Sequence, residues 1–225
     1  MTTALPAGSS PRLHDAGRLF ARYYLRGGFR ISVDGVNRVP RTGPVVLIAN
    51  HSSLAEPQLI FGMLPRRSVF LVKDELFRGA AGGFLRRIGQ IPVRRGEPDR
   101  APLLTAVRVL RDGGLVGVFP EGTRGAGDVA TAERGAAWLV RASGATVLPV
   151  ATRGTLRPPG GSRRFRPEVD VLVGEPFTVE VGRGRTGLEE ATERLRGELA
   201  ALVRTLDKRR EEALRRKGKR SNDRV

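Results

Sequence analysis

Short apolar runs rich in β-branched residues recur along this chain, and they constrain its fold more than any other feature. Val45-Val46-Leu47-Ile48, Val69-Phe70-Leu71-Val72, Leu115 to Phe119 and Thr146 to Ala151 each have the length and composition of a buried strand. Segments with helical apolar spacing separate them. Pro57 to Leu64, stopped by Pro65, is one such segment, and Glu75 to Ile88, Arg100 to Arg111 and Thr131 to Ser143 are others. Gln90 to Val93 and Val169 to Val173 read as further strands, and Ile31 to Gly35 as a strand entering a hairpin-like corner. Strands alternating with helices predict an α/β fold, a single domain with a mostly parallel central sheet flanked by helices. At 225 residues the chain is long enough for a substantial core.

The two ends read differently from the middle. Residues 1–11 are small and Pro-containing, and are expected to be disordered. Within residues 12–30, Leu13, Ala16, Phe20 and Tyr24 recur at helical steps while Arg12, Arg18, Arg22 and Arg26 add charge. This predicts a basic amphipathic helix, which suits either the interface of a membrane or packing on the domain. Residues 31–206 hold the domain itself, closed by a long helix with Leu188, Ala191, Leu195, Leu199, Leu202 and Leu206 on one face. Residues 207–225 carry nine Lys and Arg against four Asp and Glu, and are expected to form a solvated, frayed basic tail.

Composition narrows the chemistry. The absence of cysteine excludes disulfides, thiolate metal sites and cysteine nucleophiles, and two histidines leave no basis for a histidine-rich metal site. A net charge of +17, from 40 Lys and Arg against 23 Asp and Glu, calls for an anionic partner: nucleic acid, a phosphate-bearing substrate or a membrane face. Nucleic acid is disfavoured, because aromatics make up only 5% and no reader motif is present. Met1 to Arg12 lacks the apolar segment of a secretory signal, and no run approaches the roughly 20 apolar residues of a spanning helix. The expected location is therefore the cytoplasm or a membrane surface.

Polar residues cluster where the strands end. Asn50-His51-Ser52-Ser53-Leu54-Ala55-Glu56-Pro57 follows the first apolar run and joins a histidine to a carboxylate at short range. In a continuous helix the two side chains would lie about 140° apart, so a turn before a helix starting near Leu59 is what permits a hydrogen bond. A carboxylate on one ring nitrogen leaves the other free to accept a proton from a hydroxyl, which makes His51 a candidate general base oriented by Glu56. The same spacing also fits a loop histidine that caps a helix. Arg95 follows the strand ending at Val93, and Glu121, Gly122, Thr123 and Arg124 follow the strand ending at Phe119. In open α/β sheets, sites form outside the carboxyl ends of strands, so these groups are expected to converge. Guanidinium forks and glycine-flanked amides suit a phosphate.

These blocks resemble the glycerolphosphate acyltransferase family, most closely the bacterial branch that acylates 1-acylglycerol 3-phosphate. Asn50-His51 to Glu56-Pro57 is similar to the family's His, four residues, Asp block, with Glu56 where the family usually has Asp. Gly89-Gln90-Ile91-Pro92-Val93-Arg94-Arg95-Gly96, Phe119-Pro120-Glu121-Gly122-Thr123-Arg124 and Val147-Leu148-Pro149-Val150 resemble the second to fourth blocks, and Gly174-Glu175-Pro176 a late one. The resemblance implies transfer of an acyl group from acyl-CoA or acyl carrier protein to a phosphorylated lysolipid. In that scheme His51 and Glu56 are catalytic, Arg95, Glu121, Gly122, Thr123 and Arg124 bind the substrate, and no metal or bound cofactor takes part. It also implies peripheral attachment to an anionic membrane surface at the cytoplasmic face. Glycerol 3-phosphate, another lysolipid, or lipid binding without catalysis are the alternatives that the same blocks allow.

Overall fold

The structure, a computed structural model, describes residues 4–94, 100–122, 126–156 and 165–222. Seven strands form its sheet: β1 (Arg30–Asp34), β2 (Val45–Ala49), β3 (Val69–Lys73), β4 (Ile91–Val93), β5 (Leu115–Val118), β6 (Thr146–Arg153) and β7 (Glu168–Val173). Their order is β1-β7-β6-β2-β5-β3-β4. Every neighbouring pair is parallel except β6 with β7. Reversal at that pair puts the start of β1 and β7 at the same edge as the end of β2 and β6, with Arg153 opposite Asp170 and Asp170 opposite Ser32. The strand expected to enter a hairpin-like corner instead pairs with β7, ends at Asp34, and passes through Gly35 (φ 74°) into a short 3₁₀ turn.

Among the described residues the helices are α1 (Pro11–Gly28), α2 (Ala55–Met63), α3 (Gly79–Arg87), α4 (Ala101–Arg111), α5 (Gly135–Ser143) and α6 (Gly184–Asn222). Both faces of the sheet are covered. Val46 and Ile48 of β2 pack with α4, α5 and α6, while Val45, Leu47 and Ala49 pack with α1 and α2. All five residues of β2 are fully buried, as expected of a strand with helices on both sides.

Several boundaries moved for identifiable reasons. The helix expected over Glu75 to Ile88 is split into a 3₁₀ turn (Asp74–Phe77) and α3, and the break lies where Gly82 packs against the Phe77 backbone. The frayed tail is instead the continuation of α6, which runs on past Asp207. Its charges are the reason: Asp207 receives Arg153 through two bonds of 2.6 and 3.0 Å, Arg209 pairs with Asp34 at 2.5 Å, and Arg210 pairs with Asp170. Residues 4–10, expected to be disordered, lie against the domain. Ala4 and Leu5 pack on the core, Ser10 N donates to Arg87 O at 2.8 Å, and the Ser10 hydroxyl caps α1.

Helix α1 is amphipathic, but its buried face is one residue on from the apolar stripe. His14, Gly17, Ala21 and Leu25 are buried, and Gly62 of α2 approaches Ala21 and Arg22 so closely that a β-carbon there would clash with backbone. Arg18 and Arg22 donate to the last carbonyls of α2, at Phe61, Gly62 and Leu64, where a helix end carries partial negative charge. They are therefore spent on packing, and the exposed aromatics are left outside. Phe20 and Tyr24 are each 70% exposed and stack at 5.8 Å.

His14 is fully buried, with Nδ1 2.6 Å from Ile88 O, and burial lowers its pKa to about 4 against the opposing pull of that bond. Between 6.5 and about 4 the unfolded chain binds a proton that the folded chain refuses, so stability falls as pH falls through this window. Over the whole window the loss amounts to about 3 kcal/mol. Urea unfolding at pH 8 and pH 5 is expected to show most of this difference in the wild type and much less of it in His14→Gln. An equal difference in both proteins would assign the effect to other groups.

Candidate active site

β2 delivers Asn50 and His51 to the edge of the sheet, and α2 starts at Ala55. Glu56 is thus the second residue of the helix, where the sequence placed it in a turn before Leu59. The hydrogen bond forms anyway, because His51 lies outside the helix and its loop wraps back over the helix start. His51 Nδ1 is 3.0 Å from Glu56 Oε2, with His51 7% and Glu56 0% exposed.

Glu56 is the best-satisfied group in the site. Oε2 accepts from His51 Nδ1, from Ser52 N at 2.7 Å and from Ser53 N at 3.1 Å. Oε1 accepts from the Ser52 hydroxyl and from Thr155 Oγ1 at 2.8 Å. Burial pushes the Glu56 carboxyl up, yet the bonds from His51, Ser52, Ser53 and Thr155 outweigh it and hold the group below its usual range. An ionised carboxylate only accepts, so Nδ1 carries the ring proton and Nε2, on the far side of the ring, is left as the basic nitrogen. The glutamate's additional methylene leaves this bond at ordinary length.

The ring is also held from its flat side. Phe119 stacks on it at 4.4 Å with planes 30° apart, and Phe70 stacks behind Phe119 at 5.9 Å. Gly117 makes this column possible, since a β-carbon at that position would lie 2.2 Å from the Phe70 ring. The His51 backbone is fixed by Glu121, whose Oε1 accepts from His51 N at 2.7 Å. Half-burial raises the Glu121 carboxyl, with the His51 N–H opposing.

Of the residues read from sequence, His51, Glu56 and Glu121 are thus within direct hydrogen-bond contact of one another through His51. Gly122 follows with φ 68°, and a β-carbon there would strike the Glu133 carboxylate at 2.2 Å, so the turn after β5 demands glycine. Arg95, Thr123 and Arg124 lie outside the described residues. Arg94, at the carboxyl end of β4, pairs with Asp74 at 3.5 Å.

The supporting residues were less legible. Asn50, fully buried, accepts from Thr152 N at 2.8 Å and donates to Thr152 O at 3.0 Å and Gly127 O at 3.3 Å, tying β2, β6 and the loop before α5 together. Arg153 joins the same loop through Gly127 O at 2.8 Å. Asn50 and Phe119 sit inside the motif blocks, which was a signal available from sequence. Thr155 meets Glu56 across a sequence separation of 99 and had none. Among the described residues no group of three or more His, Cys, Asp and Glu has the arrangement of a metal site.

The Acyltransferase family profile matches residues 30–153. A 1-acyl-sn-glycerol-3-phosphate acyltransferase of Bacillus subtilis is 32% identical over 156 residues, covering 68% of this chain and 75% of that protein. The proteins of that name from Borreliella burgdorferi, and its beta form from Homo sapiens, are each 30% identical; the chain spans 53% and 49% of their lengths. The crystal structure of the 1-acyl-sn-glycerophosphate (LPA) acyltransferase, PlsC, from Thermotoga maritima superimposes with a TM-score of 0.62 at 25% identity, covering 84% of this chain and 80% of that one.

Removing the Asn50 amide strands Thr152 N–H and carbonyl groups that it now satisfies. Asn50→Ala is expected to cost about 2 to 4 kcal/mol in urea unfolding, given about 1 to 3 kcal/mol per buried group left unpaired. A loss well below 1 kcal/mol would mean that water replaces the amide and the network is not structural.

Proposed function

This chain belongs to the Acyltransferase family, and we propose that it moves a fatty acyl group from acyl-CoA or acyl carrier protein to the free hydroxyl of 1-acylglycerol 3-phosphate in phospholipid synthesis. The observation that carries the reading is the buried His51 Nδ1 to Glu56 bond of 3.0 Å, which orients the imidazole with Nε2 on its far side. His51 Nε2 takes the proton of the acceptor hydroxyl as that oxygen attacks the thioester carbonyl. The tetrahedral oxyanion then collapses, the carbon–sulfur bond breaks, and the imidazolium returns its proton to the thiolate. The ester and a free thiol leave, and no metal or bound cofactor enters the balance.

Glu121 acts in this scheme as a positioning residue through the His51 backbone. Thr123 and Arg124, which follow Gly122 in sequence, are assigned with Arg95 to the acceptor phosphate on the strength of the sequence blocks. The names of the relatives favour 1-acylglycerol 3-phosphate over glycerol 3-phosphate or another lysolipid.

We assign the reaction to the cytoplasmic face of the membrane, with the chain attached peripherally. No helix among the described residues is long and apolar enough to cross a membrane. Support comes from α1, whose buried side is committed to α2 while Leu19, Phe20, Tyr23 and Tyr24 face outward. An exposed apolar and aromatic helix face is what an interfacial helix inserts.

Two experiments test these readings. With lysophosphatidate and acyl-CoA, wild type is expected to be active and His51→Ala to lose about 10² to 10⁴ in rate, the usual worth of a positioned base. Glu56→Gln should fall in the same direction and Glu56→Asp far less, and a panel of acceptors identifies the substrate. An inactive wild type, or a fully active His51→Ala, would refute the mechanism. Separately, the pair Phe20→Ser and Tyr24→Ser is expected to weaken binding to neutral and anionic vesicles alike while leaving urea stability within about 0.5 kcal/mol. Unchanged binding to both would remove α1 as the inserting element.

A further inference from the structure

A cavity of about 520 Å³ lies where the end of α1, the start of β1 and the distal part of α6 meet. It stands at the same edge of the sheet as His51, because β7 and β1 run opposite to β6 and begin where β6 and β2 end. β1 is three places from β2 in the sheet, so these two strands lie about 14 Å apart. The mechanism above makes no use of it.

Its lining joins two chemistries. Arg26, Arg30, Arg166 and Arg210 contribute guanidinium groups. Glu168 and Asp170 also line the cavity, which leaves two positive charges in excess among the described lining residues. Arg210 is held by Asp170, and Arg166 donates to the Arg26 carbonyl at 2.7 Å, fixing the end of α1 to the segment before β7. Arg26 and Arg30 are exposed, and their side chains have no partner among the described residues. Phe29 and Leu214 supply apolar wall beside these charges. Phe165, adjacent to Arg166, is 92% exposed, and Leu214 is 59% exposed.

We propose that this cavity binds the phosphate headgroup of an anionic phospholipid at a site distinct from the acceptor site. A phosphate accepts paired hydrogen bonds from guanidinium forks. Exposed apolar side chains next to those forks are of no use to a small soluble anion, but they meet the glycerol and first acyl carbons of a lipid. The outward aromatics of α1 lie on the helix that ends at this cavity, so insertion of that face brings Arg26 and Arg30 to headgroup level. The site would make attachment selective for acidic lipid and hold the carboxyl edge of the sheet towards the bilayer. The inference rests on the membrane-surface part of the preceding reading and is independent of acyl transfer.

The test uses the full chain and binding readouts only. Arg26→Ala with Arg30→Ala is compared with a control pair at the opposite edge, Arg41→Ala with Arg108→Ala, which removes the same charge from exposed positions. On vesicles of phosphatidylcholine containing phosphatidic acid, the cavity pair is expected to bind about 25-fold more weakly, at about fivefold per arginine near an anionic surface. The control pair should lose less than about threefold, and pure phosphatidylcholine should show no difference among the three proteins. Equal losses in the two pairs would reduce the effect to net charge and overturn the proposal. Stabilisation of wild type by inorganic phosphate or adenosine 3′,5′-bisphosphate, lost in the cavity pair while vesicle binding is unchanged, would identify a soluble phosphate ligand and overturn it too. Failure of α1 to insert is recognised separately, because the Phe20 and Tyr24 variants lose neutral vesicles as well.

Discussion

The buried Glu56 carboxylate is the interaction on which the local structure turns. A charge with no exposure is tolerable only if donors replace its water, and five do so: two backbone amides, two hydroxyls and the His51 ring. Because the amides of Ser52 and Ser53 are among them, the carboxylate shapes the loop that carries the histidine as well as orienting its ring. Thr155 brings in the segment after β6, so two strand ends that are adjacent in the sheet are locked by one side chain.

Around that charge the structure is built to keep the imidazole still. Phe119 covers one face, Phe70 supports Phe119, and the glycine at 117 provides the room Phe70 needs. Glu121 holds the backbone and Asn50 ties it to Thr152 and Gly127. Arg153 extends the same framework to Asp207 of α6, so the helix that closes the domain and the loop beside the histidine share one guanidinium. On the proposed mechanism, a base on such a rigid support would spend little entropy reaching its reactive geometry.

The surface divides its labour in a comparable way. Gly62 of α2 lets α1 come close at Ala21 and Arg22, and Arg18 and Arg22 satisfy α2's last carbonyls. What remains outward is aromatic and apolar at Leu19, Phe20, Tyr23 and Tyr24, with the arginine-lined cavity at the helix end. Packing thus consumes part of the positive charge that composition alone assigns to a partner.

The strands were legible from sequence because a strand covered on both faces must be apolar throughout, and β2 begins where its run does and ends one residue beyond it, at Ala49. The pairing of His51 with Glu56 was also legible, since five residues spanning a turn leave few ways for the two groups to avoid each other. Other features depended on contacts between distant segments. The face on which α1 packs was set by the close fit of Ala21 and Arg22 to Gly62 of α2, not by its most apolar stripe. The helical course of α6 past Asp207 was set by Arg153, Asp34 and Asp170, which no local pattern connects to it. Sequence by itself determined the layered α/β architecture and the residue types gathered at the strand ends, because burial period and motif spacing are local properties. Only the tertiary structure decided that β6 and β7 run opposite ways, that Thr155 completes the Glu56 shell, and that four arginines meet beside α1, because register and charge pairing are fixed by what the folded chain brings together.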